Sequence, residues 1–165
     1  MNLPPDIAFP LAQAGVLLNT DFIDNSAGVD TSDHEVNIKI LLNDAVAAGK
    51  LSVAQRNKLL ASMTDEVAQL VLMDNYRQNQ AISLMERMSS KRLGSEQHFI
   101  RTLEQAGQLD RAIEFLPSDA ELSQRKARGQ GLTRPELAVL LSYSKLVAFN
   151  QLLESDIPED PYLSK

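Results

Sequence analysis

The chain has 165 residues, 44% of them hydrophobic, and a formal charge of −6, so it can build a core but is poorly suited to a polyphosphate partner. It has no cysteine, which excludes disulfides, zinc-thiolate sites and thiol nucleophiles. Only 5% of residues are aromatic and none is tryptophan, a palette that suits packed aliphatic helices better than a β-sandwich.

The first ten residues contain Pro4, Pro5 and Pro10 and no basic start, so no signal peptide is expected. No apolar run approaches the length of a membrane span, and a soluble cytoplasmic protein is the expectation. Residues 4–15 predict a short helix broken by proline and ended by Gly15. Residues 16–23, Val-Leu-Leu-Asn-Thr-Asp-Phe-Ile, predict the one strand of the chain. A lone strand leaves its backbone groups unpaired, so its partners are expected in a symmetry mate or in sequence outside this chain. The expectation from this strand is that the chain is a fragment.

Helix starts then recur as Ser/Thr-x-x-Glu/Gln, in which the hydroxyl accepts the N3 amide and the longer side chain reaches back. The pattern occurs at Ser32/Glu35, Ser52/Gln55, Ser118/Glu121 and Thr133/Glu136. It predicts helices over 32–48, 52–62, 64–89, 95–106, 118–127 and 133–154, with Gly49 and Gly107 as stops. Residues 126–135, Lys-Ala-Arg-Gly-Gln-Gly-Leu-Thr-Arg-Pro, predict the clearest flexible connection. The fold class is therefore mainly α: a helical domain with one short N-terminal strand.

Two constellations suggest other chemistry. Asp33-His34-Glu35 offers metal-ligand side chains, but consecutive helical residues point in different directions, and solvated helix-start residues with no metal are expected. Residues 131–146 have the opening of a helix-turn-helix, yet the helical period continues where a turn would fall and the chain is acidic, so no nucleic acid is expected. Lys91-Arg92 and Arg125-Lys126-Arg128 read as solvated helix ends.

The most specific string is Asn25-Ser26-Ala27-Gly28-Val29-x-x-Ser32, between the expected strand and the next helix. It resembles the Asn-x-Gly-Gly-Val-x-x-Ser element that ends the nucleotide-binding domain in the glutamate dehydrogenase superfamily. The longer run from Asn19 to Leu42 is similar to the large bacterial NAD-specific glutamate dehydrogenases. Residues 63–84 and 131–145 resemble the helical region that follows in the same family. The resemblance implies residues 1–49 as the C-terminal tail of a dinucleotide-binding catalytic domain and 50–165 as a helical C-terminal region. The strand would be left over from the α/β nucleotide-binding domain.

The implied activity is oxidative deamination of L-glutamate to 2-oxoglutarate and ammonia, with NAD as hydride acceptor. By the same resemblance Asn25 would face the nicotinamide end of NAD. Val29 would line the aliphatic stem of glutamate, and Ser32 would donate to its side-chain carboxylate. The catalytic Lys and Asp of the family lie upstream of this element, and no Gly-rich pyrophosphate turn is present, so the chain alone is expected to carry no catalytic residue, to be inactive and to bind NAD weakly or not at all. Ala27 departs from the family's first glycine and would be strained if that position needed positive φ. The implied partners are the remainder of the same polypeptide and further copies of it in a homo-oligomer. The alternative reading is a non-catalytic helical interaction or assembly module.

Overall fold

The structure, a computed structural model, describes residue 3 and residues 5–163. The described residues form α1 (Pro5–Gln13), α2 (Asp21–Asp24), α3 (Ser26–Ala47), α4 (Val53–Ser62), α5 (Thr64–Gln105), α6 (Asp119–Ala127) and α7 (Arg134–Leu153), with a short 3-10 turn at Ile157–Glu159. They contain no strand. The mainly helical expectation holds and the strand over 16–23 does not. No helix among the described residues is long and apolar enough to cross a membrane.

The chain divides into two compact units, one of Asp21–Ala81 and one of Leu3–Thr20 with Ile82–Lys165. The first unit holds α2, α3, α4 and the start of α5. The β-rich letters at Asp21–Ile23 turn helical because Asp21 Oδ1 accepts the Phe22 amide at 2.9 Å and the Asp21 carbonyl accepts the Asn25 amide at 2.8 Å. Ile23, 1% exposed, anchors that turn. Helix α3 then begins at Ser26, six residues before the expected start. The stretch has no proline to break it, and the Thr31 and Ser32 hydroxyls bond back to the Ala27 and Gly28 carbonyls (2.7 and 3.2 Å) inside the helix. The Ser32/Glu35 box therefore does not form, and Glu35 pairs with Lys39 instead. Helix α4 does carry its expected box: Ser52 Oγ accepts the Gln55 amide at 3.2 Å and Gln55 Oε1 accepts the Ser52 amide at 2.9 Å.

The second unit holds most of the core. The expected helix starting at Pro4 lies partly outside the described residues; α1 runs from Pro5 and ends at Gly15, whose φ of +90° suits glycine. Residues 16–20 follow without regular structure. The two helices expected over 64–89 and 95–106 are one continuous helix, α5, with Gly94 inside it. A mid-helix glycine costs about 1 kcal/mol relative to alanine. Tertiary contacts on this stretch offset that cost: Leu93 is buried, and Ser89 Oγ donates to Glu96 Oε2 (2.6 Å) while accepting the Leu132 amide (2.7 Å).

That last bond also ties the connection between α6 and α7 to α5. Gly131 crosses so close to α5 that an added Cβ would lie 2.5 Å from Ser89 Oγ and 2.6 Å from the Ser90 amide nitrogen. Arg125 clasps the buried Glu136 through two bonds of 2.7 and 2.8 Å, and Glu136 Oε2 also accepts the Thr133 amide at 2.6 Å. Helix α6 starts on the expected Ser118/Glu121 box. Ile82, Ile100 and Leu103 of α5, Leu122 of α6 and Leu137 of α7 are fully or almost fully buried, and α1 packs against α7.

Candidate functional site around the start of α3

Asn25 sits at the junction of α2 and α3 with φ −100° and ψ 9°, and its side chain makes no capping bond. Its carbonyl accepts the Gly28 amide at 3.1 Å. Gly28 is helical rather than left-handed, and its value is space: an added Cβ would stand 3.2 Å from Asn25 Oδ1. Ala27 is also helical, so the strain expected at this departure from the Gly-Gly pattern is absent. Ser26 Oγ accepts from Asn75 Nδ2 at 2.8 Å, and Asn75 Nδ2 also reaches the Ile23 carbonyl at 3.3 Å, which fastens the α2–α3 corner to α5.

The structure brings the three sequence-derived residues together in a way the motif alone does not reveal. Asn25, Val29 and Ser32 follow i, i+4, i+7 spacing, so they lie along one stripe of α3 about 10 Å long, and Val36 extends it. The stripe is bare: Val29 is 62% exposed, Val36 54%, and Asn25 and Ser32 are exposed. Ser32 is not at a helix start, so it faces no free helical amides. Its hydroxyl proton is engaged with the Gly28 carbonyl at a long 3.2 Å, a bond weak enough to exchange for a better acceptor.

The electrostatic surroundings follow the same division. The Lys39 ammonium beside Glu35 holds that carboxyl below its ordinary value. Roughly opposite the stripe, Asp30 and His34 turn inward one helical turn apart, with His34 Nε2 3.6 Å from Asp30 Oδ1. Sequence reading placed His34 among solvated residues with Asp33 and Glu35. Register on α3 pairs it instead with Asp30, and the position of α5 adds Asp74, a long-range neighbour that no local pattern signals.

Comparison with known proteins supplies the family. Residues 7–85 match the family described as "Bacterial NAD-glutamate dehydrogenase, catalytic domain", and residues 129–165 match "Glutamate dehydrogenase, C-terminal". The NAD-specific glutamate dehydrogenase of Halomonas elongata is 56% identical over 93% of this chain and 10% of its own length. That of Pseudomonas aeruginosa is 56% identical over 89% of this chain, and that of Mycobacterium tuberculosis 44% identical over 88%, each match covering 9% of the relative. The chain thus spans about a tenth of the length of the curated relatives it matches. With the Asn25–Ser32 element, the helices that follow it and both ends of the chain matched, the chain belongs to the large bacterial NAD-specific glutamate dehydrogenase family.

Proposed function

We propose that this chain is a working part of an enzyme that oxidatively deaminates L-glutamate to 2-oxoglutarate and ammonia, with NAD accepting the hydride. Within it the stripe on α3 is the substrate-side wall. Asn25 faces the nicotinamide end of NAD through a carboxamide that caps nothing in its own helix. Val29 lies along the methylene stem of glutamate, and Ser32 gives its hydroxyl proton to the side-chain carboxylate. The residues present fit only that end of the cofactor; a glycine-rich turn for the pyrophosphate is absent from the sequence. The chain alone is therefore inactive, and the rest of the same polypeptide, assembled as a cytoplasmic homo-oligomer, supplies the acid–base groups and the cations that hold the substrate.

The observation that carries this reading is the match of residues 7–85, which contain Asn25, Val29 and Ser32 on one exposed face, to the catalytic domain of the family. A test is Ser32→Ala in the complete enzyme containing this segment. The expected result is a rise in KM for glutamate of about 5- to 30-fold, equivalent to about 1–2 kcal/mol of lost hydrogen bonding, with KM for NAD little changed. An unchanged glutamate KM removes Ser32 from the substrate wall.

A second reading, a non-catalytic helical bracing or assembly role, is favoured for the second unit by its self-contained core around Leu103 and Leu137. The two roles are compatible in one polypeptide.

A further inference from the structure

Asp30 and His34 on α3 and Asp74 on α5 each offer one ligand atom, and the three atoms lie within 4.8 Å of one another. The fold makes this cluster from register. Ser26, Asp30 and His34 follow one another at four-residue spacing on one side of α3, and the Asn75 bond to Ser26 brings the neighbouring Asp74 alongside. Within these residues Asp30 Oδ2 and His34 Nε2 are buried from solvent and have no hydrogen-bond partner. Leaving a carboxylate oxygen and an imidazole nitrogen buried without a hydrogen bond is costly. Arg77 Nη1 approaches Asp74 Oδ1 only to 3.7 Å, so it does not satisfy the cluster.

We infer that Asp30, His34 and Asp74 form a binding site for one divalent cation of the zinc class, bridging α3 and α5. One imidazole and two carboxylates suit a borderline metal, whereas calcium and magnesium prefer all-oxygen shells. Metal–ligand bonds of about 2.0–2.2 Å in a tetrahedral shell put ligand atoms about 3.3–3.6 Å apart. The Asp30–His34 pair already has that spacing at 3.6 Å, and the half-exposed Asp74 side chain closes the remainder by rotation. The fourth position is open to water. The site lies on the side of α3 away from the Asn25–Val29–Ser32 stripe, so it is independent of the proposed substrate wall.

The test is calorimetric titration of zinc chloride into the chelator-stripped chain, with thermal melting followed by circular dichroism. The expected result is one saturable equivalent and a raised Tm. His34→Ala and Asp74→Asn should each weaken binding by about ten-fold or more, while H98A, which removes the other histidine, leaves it unchanged. Absence of saturable binding overturns the inference, as does equal affinity in Asp74→Asn, a variant at a half-exposed position that keeps the fold should His34→Ala lose it.

Discussion

The two units of this molecule differ in how much apolar side chain they bury. Among the described residues, only Ile23 and Val71 are buried hydrophobics in the first unit, while Phe22, Val29, Val36, Ile40, Leu41, Leu72 and Met73 remain exposed there. The second unit buries Ile82, Leu93, Ile100, Leu103, Leu122 and Leu137 and backs them with a buried ion pair and a hydroxyl that binds two partners. The difference lies in the interior, since the second unit also leaves Leu17, Ile113, Leu153 and Tyr162 exposed.

The sharpest way to probe this difference is to attack the second unit's internal ties. Arg125→Ala leaves the Glu136 carboxylate, 1% exposed, without its bidentate partner. The expected loss is about 3–5 kcal/mol in urea denaturation, because the stranded charge costs more than the pair contributes. A loss near zero means that water reaches Glu136 and that this core is less closed than its burial indicates. Gly131→Ala comes next, with an expected loss of about 1–3 kcal/mol, since the new methyl meets Ser89 and the α5 backbone near 2.5 Å. In the first unit Val36→Ser, at an exposed position on the stripe, should change stability by no more than about 0.5 kcal/mol in the same assay. A large loss there would show that α3 is packed more fully than its exposure indicates and would erase the contrast between the units.

Much of this organisation was legible in the sequence, and the failures have identifiable causes. The Ser52/Gln55 and Ser118/Glu121 boxes marked true helix starts, because in each the residues before the serine are turn formers or follow a glycine stop. The same pattern at Ser32/Glu35 marked nothing, because a helix already under way from Ser26 used the hydroxyl for a bond to its own carbonyl. The strand expected over 16–23 rested on β-branched and aromatic letters. That propensity needs a neighbouring strand to express itself, and a side-chain bond at Asp21 was enough to turn the last residues helical. The gap expected between 89 and 95 does not occur: α5 is continuous, and Ser89 within it bonds both Glu96 and the distant Leu132. The motif from Asn25 to Ser32 was readable as a unit, and helical register then placed its three members on one face. The cluster of Asp30, His34 and Asp74 was half readable. The four-residue spacing of Asp30 and His34 is visible in the sequence, whereas Asp74 reaches them through tertiary packing that includes the Asn75 bonds to Ser26 and Ile23.

The uncovered stripe on α3 also determines what different mutational screens can detect. A folding reporter fused to this chain registers damage at Leu103 or Leu137 and is nearly blind to changes at Val29, Ser32 or Val36. On the function proposed above, a growth selection on a complete enzyme containing this segment weighs those same three positions as contacts of the substrate wall. Disagreement between the two screens, position by position, would trace the outline of that contact.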